Sequence, residues 1–150
     1  MPISTLGSLS IFRSEREILM LTKEELWAYF QNDTFAIDAV GITVDEVCEE
    51  RVICSMTIED RHKNADGKVM GGVSFTLGDF AFALFANRHK ISTVTLSATI
   101  HYLGVAKGKK LIATVSPIKE GRSVVNAEVM ITDELGTAVA HMVANGFCKG

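Results

Sequence analysis

The spacing of hydrophobic positions changes along this chain. In "TKEELWAYFQND" apolar residues return every three to four places, the repeat of a helix lying on a core. Thr22 and Glu25 fit a capping box, the Thr22 side chain capping the backbone and Glu25 reaching back. A helix is therefore predicted to run to about Gln31 and to bury Leu26, Phe30 and Trp27. From Phe35 onward a period of two is expected. "VGITVDEV" and "RVICSMTIED" alternate, with Val52, Cys54, Met56 and Ile58 on one face and Arg51, Ser55, Thr57 and Glu59 on the other. Glu49 and Glu50 mark a hairpin turn between these strands, and "RHKNADGK" reads as a polar loop with an Asp-Gly turn.

The next run, "NADGKVMGGVSFTLGDFAFALFAN", is apolar almost to its end and holds no proline. Its stretch from Val73 to Ala86 is long enough for about four helical turns. Alternation then returns and persists. In "STVTLSATIHYL", Thr93, Thr95, Ser97, Thr99 and His101 share one face, opposite Val94, Leu96, Ala98, Ile100 and Tyr102. "KLIATVSPI", "SVVNAEVMIT" and "AVAHMVANGF" follow as strands, joined by "KEGR" and "DELG". Turns this short cannot hold crossover helices, so the strands they join are antiparallel neighbours. The order is helix, strand pair, long apolar helix, four-strand meander. This is an α+β domain, an antiparallel sheet of about five or six strands around one apolar helix. Residues 1–150 read as one domain, with 1–21 an extension that could be an arm or part of the first helix.

Composition narrows the setting. At 150 residues, 47% hydrophobic and 22% charged, the chain can bury a core without staples. A mean hydropathy of +0.23 is high for a small monomer and suggests apolar surface covered by a second chain. A net charge of −3 gives no basic field for nucleic acid. Cys48, Cys54 and Cys148 are odd in number and lack CxxC spacing, so reduced thiols are expected rather than disulfides or zinc. His62, His89, His101 and His141 show no metal-ligand spacing. No basic segment leads into an apolar h-region, and no uninterrupted apolar run is bilayer-long, so a cytoplasmic protein with no membrane partner is expected. Arg88, His89 and Lys90 follow the long helix and could meet a ligand's phosphates, but its C-terminal dipole also favours surface cations there, and that is the reading preferred.

Candidate chemistry lies on the long helix. Gly71 and Gly72 stand where it begins. The first N–H groups of a helix lack internal partners, and glycine lets a ligand oxygen approach them, an arrangement suited to an oxyanion hole. A tight loop-to-helix turn would also explain the pair. Asp79 lies two turns beyond Gly72 on the same side, with Phe75, Phe82 and Ala83 as helical neighbours. Burying an unpaired carboxylate is costly, so Asp79 is read as a base or nucleophile acting on a bound carbonyl. The structural alternative is a hydrogen bond to Thr76 or to a threonine of a neighbouring strand.

"NADGKVMGG…TLGDFAFALFAN" resembles the hotdog-fold acyl-CoA thioesterases of the phenylacetate-pathway type. Their motif is Asn or Gln, a loop, His-Gly-Gly, then Leu-x-Asp on an apolar helix. The resemblance covers roughly residues 22–148, and Asn64, Gly71 and Asp79 match in type and spacing. It implies a hotdog fold and an acyl-CoA substrate with no cofactor. It also implies a homodimer or dimer of dimers with shared sites. Gly71 would donate its N–H to the thioester carbonyl, and Asp79 from the facing subunit would activate water or attack. Asn64 would hold the carbonyl or the water, and Thr95 falls near a position where some members orient the water. Gly72, Met70 and Phe75 would line the substrate's path.

One position departs from the motif. His-Gly-Gly reads Met70-Gly71-Gly72, and a thioether cannot donate a hydrogen bond. That leaves open a chain that binds acyl-CoA without hydrolysing it. A hotdog dehydratase would need a histidine-bearing motif that is not found here.

Overall fold

In the computed structural model of the protein, residues 20–150 are described. The reading of residues 1–21 as an extension falls almost wholly outside them. Helix α1 spans Lys23–Phe30 behind the Thr22 cap. The Glu25 N–H donates to the Thr22 hydroxyl at 3.1 Å, and the Thr22 N–H donates to the Glu25 carboxylate at 2.8 Å. Leu26 is buried, with Trp27 and Phe30 packed half-buried beside it. A π-helix, Phe35–Val40, then replaces the expected start of the strand. Ala36 and Val40 are its buried residues, four apart, a helical spacing that the strand reading overlooked. The turn ends at Gly41, whose φ of 81° suits glycine.

The sheet has six strands in the order β1-β2-β4-β5-β6-β3. They are β1 (Thr43–Val47), β2 (Val52–Thr57), β3 (Thr93–Tyr102), β4 (Lys110–Glu120), β5 (Val124–Asp133) and β6 (Ala138–Cys148). Every pairing is antiparallel. The tight turns join β4 to β5 and β5 to β6 as expected. The meander reading fails for β3, which pairs with β6 while β4 pairs with β2. Residues 103–109 form a connection long enough to cross the sheet end, so β3 becomes an edge.

That connection is pinned by two carboxylates. The Asp133 carboxylate accepts the N–H groups of Lys107 (2.8 Å), Gly108 (2.9 Å), Leu135 (3.0 Å) and Thr137 (2.8 Å). Glu134 accepts those of Lys109 and Lys110 at 2.6 and 2.9 Å. Burial pushes the Asp133 acid up, but the backbone donors from Lys107, Thr137 and Gly108 outweigh it. They hold it well below the ordinary carboxylate range.

Helix α2, Gly71–Ala86, lies along the inner face and starts two residues before the expected Val73. Leu77, Phe80, Ala81, Phe82, Leu84 and Phe85 are buried against Val52, Cys54 and Met56 of β2, Leu111, Ala113 and Val115 of β4, and Met142 and Ala144 of β6. Each large apolar side chain buried this way stabilises by about 1.5–3 kcal/mol. Gly78 lets the helix close on the sheet, since a Cβ there would sit 2.9 Å from the Met142 Cε.

Two local expectations change. Strand β3 carries a bulge between Thr95 and Ser97, so its faces exchange partway along. Thr93 and Thr95 pair with Cys148 and the buried Gly146 on the inner side, whereas Ser97, Thr99 and His101 turn outward. Arg88 is not a surface cation, being 1% exposed. Its guanidinium donates to the Phe85 carbonyl at 2.8 Å, the Glu49 carbonyl at 3.2 Å and the Glu120 carboxylate at 2.8 Å. It thus ties the end of α2 to the β1–β2 turn and to β4.

Candidate active site

The N-terminus of α2 is held by the loop before it. Lys63 and Val69 form an isolated antiparallel bridge, and the loop turns at Gly67 with φ of 73°. The Met70 N–H donates to the His62 carbonyl at 2.9 Å. Asn64 shapes this loop, because its side-chain oxygen accepts the N–H groups of Asp66 (3.0 Å) and Lys68 (3.1 Å). Those two donors fix which end of the amide faces inward. The Asn64 NH₂ group is left without a partner among the described residues.

Met70 is the N-cap residue, exposed and making no side-chain capping bond. Behind it, neither the Gly71 nor the Gly72 N–H donates to any described residue. Two backbone donors therefore stand free at the positive end of a 16-residue helix. Beside them is a cavity of about 430 Å³ lined by Phe35, Val40, Met70, Gly72, Phe75 and Tyr102, among others. Its size fits a small-molecule cleft, and its lining is largely apolar. Met70, Gly72 and Phe75, expected along the substrate's path, all line it.

Asp79 sits half-buried on the same helix. Its carboxylate has no hydrogen-bond partner among the described residues. The alternative through Thr76 is not realised, since the Thr76 hydroxyl donates to the Gly72 carbonyl at 2.8 Å. Burial, and secondarily the nearby Asp33 carboxylate, raise the Asp79 pKa above its ordinary value of 3.8. Asp79 is eight residues beyond Gly71, which at 1.5 Å per residue separates them by about 12 Å along the helix. Within one chain this carboxylate is out of reach of a carbonyl bound at the Gly71 N–H.

Thr95 lies further along still, on the inner side of β3 toward the C-terminal end of α2. There its neighbour Thr93 donates to the Ala86 carbonyl at 3.2 Å. The structure brings together Met70, Gly71, Gly72 and Phe75, with Asn64 in the adjoining loop. It does not bring Asp79 or Thr95 to them within the chain.

Tyr102 is the residue at this site that the sequence reading left without a role. Its hydroxyl donates to the Gly71 carbonyl at 3.0 Å, and its ring lies over the Gly71 Cα. The only signal was an aromatic residue with a polar tip ending an apolar strand face. Among the described residues, no three His, Cys, Asp or Glu side chains gather as a metal site requires. No helix among them is long and apolar enough to cross a membrane.

The six-stranded antiparallel sheet wrapped on a central helix is the hotdog fold. A family model described as the thioesterase superfamily matches residues 66–140. The chain belongs to that superfamily, and it is an enzyme of the thioesterase class.

More particular likenesses agree. The chain is 30% identical to acyl-coenzyme A thioesterase 13 of Homo sapiens over 108 residues, 70% of this chain and 75% of that one. It is also 30% identical to acyl-coenzyme A thioesterase PaaI of Escherichia coli over 115 residues, 75% of this chain and 81% of that one. The solved E. coli PaaI protein, from the phenylacetic acid degradation operon, superposes with a TM-score of 0.76 at 25% identity, covering 82% of this chain and 89% of its own. A hypothetical thioesterase of Streptococcus pneumoniae, solved with coenzyme A, gives a TM-score of 0.73 at 22% identity, covering 81% and 97%. That last likeness is one of fold.

Proposed function

We propose that the protein hydrolyses acyl-CoA thioesters at a site built by two copies of the chain. The thioester carbonyl rests on the Gly71 N–H, at the positive end of α2, with the Asn64 NH₂ group beside it. Asp79 of the facing copy takes a proton from water as the water oxygen adds to the carbonyl carbon. The oxyanion forms against the helix donors. It collapses with loss of the CoA thiolate, which receives the proton from Asp79, leaving free acid and CoA. Direct attack by the Asp79 carboxylate, followed by hydrolysis of the resulting anhydride, uses the same placement. Phe35, Val40 and Phe75 give the acyl group an apolar wall, and the cavity's size favours small or medium chains.

The observation that carries this reading is Asp79 itself, a half-buried carboxylate with no partner among the described residues. A packing role gives no reason to keep such a group. Thiol release across a panel of acyl-CoAs tests the reading. Asp79→Asn should lose about 10²–10⁴ in kcat on every substrate the native protein uses. Equal rates for the two proteins on that panel would sink the mechanism.

One feature favours a second reading, a module that binds acyl-CoA without hydrolysing it. Exposed Met70 occupies the N-cap where the family motif has histidine. Thermal stabilisation by CoA esters with no thiol released would favour that reading over hydrolysis.

A further inference from the structure

Tyr102 ends β3, an edge strand, yet its place is fixed. The two residues after it, Leu103 and Gly104, both donate their N–H groups to the Val139 carbonyl, at 2.9 and 3.2 Å. Gly104 itself lies so close to β6 that a Cβ would meet the Ala138 carbonyl oxygen at 2.9 Å. The aromatic ring is thereby delivered onto the start of α2. A Cβ built on Gly71 would lie 2.9 Å from the Tyr102 Cζ and 3.0 Å from its hydroxyl oxygen. Glycine at 71 therefore leaves room for the tyrosine ring as well as for a ligand.

The hydroxyl adds chemistry to this contact. It donates to the Gly71 carbonyl at 3.0 Å. That carbonyl belongs to the same peptide unit as the Gly72 N–H, a free donor on a residue that lines the cavity. A carbonyl has two lone pairs, and a helix uses only one of them. A hydrogen bond to the carbonyl end of a peptide polarises it and strengthens donation from its N–H end. The neighbouring unit is polarised in the same sense, because the Val73 N–H donates to the Met70 carbonyl at 3.0 Å, on the peptide that carries the Gly71 N–H.

We infer that Gly72 supplies a second oxyanion donor, and that Tyr102 is a positioning residue that holds and polarises the Gly71–Gly72 peptide for it. This rests on the thioesterase reading above and deepens it. Charge develops on the substrate oxygen only as the tetrahedral intermediate forms. A donor strengthened in this way therefore stabilises the transition state more than the bound thioester. The tyrosine also supplies order at a helix start whose N-cap side chain makes no bond.

Tyr102→Phe tests the inference, since it keeps the ring over Gly71 and removes only the hydroxyl. Its kcat should fall about three- to tenfold, with KM nearly unchanged. A merely structural role would instead move the melting temperature, or KM and kcat together. Two non-hydrolysable ligands provide a readout free of turnover. One is a trifluoromethyl ketone carried on the CoA sulfur through a methylene, whose carbonyl hydrates to a tetrahedral centre like the intermediate, and the other is a thioether lacking the carbonyl oxygen. Tyr102→Phe should weaken the ketone several-fold while leaving the thioether's Kd as it is in the native protein. Equal weakening of both ligands, or no weakening of either, overturns the inference. The binding comparison remains readable if Asp79→Asn refutes the hydrolytic mechanism, so the two failures are distinguishable.

Discussion

A carboxylate that neither bonds its own helix nor meets a cation is held at a cost when ionised. Among the described residues Asp79 is in that position, with its pKa raised by burial and by Asp33. Between the ordinary value of 3.8 and the raised folded value, the folded state binds more protons than the unfolded one. Stability therefore falls as pH rises through that window and stays lowered above it. Asp79→Asn should accordingly raise the melting temperature at neutral pH while removing activity. The gain should vanish below pH 3.8, where the native acid is protonated folded or unfolded, and melting curves at the two pH values check this. A mutant no more stable than native at pH 7 would mean the carboxylate has a partner. Asp79 was legible in the sequence because an acid amid phenylalanines stands out. Tyr102 was not, because its significance depends on touching Gly71, 31 residues away.

At the scale of elements, local rules read well and pairing rules did not. The Thr22–Glu25 cap needs only neighbours in sequence, so it was visible. The bulge in β3 is set by register against β6, and nothing within "STVTLSATIHYL" reports it. Burial of Arg88 likewise depends on Glu49 and Glu120, separated from it by 39 and 32 residues. The close approach of β3, β6 and α2 gives a test of packing. A Cβ on Gly146 would lie 2.7 Å from the Thr93 Cγ2, 3.1 Å from the Val94 carbonyl oxygen and 3.5 Å from the Phe82 ring. Backbone and a β-branched side chain cannot give way easily, so Gly146→Ala should destabilise by about 1–3 kcal/mol. Urea unfolding measures it, and a change within 0.5 kcal/mol, the ordinary range for surface substitutions, would contradict the packing described.

For the whole molecule, the decisive quantity is the roughly 12 Å between Gly71 and Asp79 along one helix. If two copies share each site, two inactive variants should repair one another. Asp79→Asn keeps the donors. Gly71→Pro removes the N–H at the first helical position, where proline is tolerated, and the exposed Tyr102 ring can swing aside for it. Refolded together in equal amounts, half the pairs should be mixed, each with one intact site of two. The mixture should recover about a quarter of native activity. Recovery of none would place the whole reaction within a single chain.

The two borders of the sheet differ in how they would meet a neighbour. β1 is short, five residues, and carries the Glu46–Arg51 ion pair. β3 runs ten residues with Leu96 63% exposed. A border of the first kind discourages further strands, whereas one of the second invites them. Joined β3 to β3 about a twofold axis, two copies would present only guarded borders to the solvent. Growth would then stop at a closed pair, and an arrangement that could have propagated as a fibre becomes self-limiting.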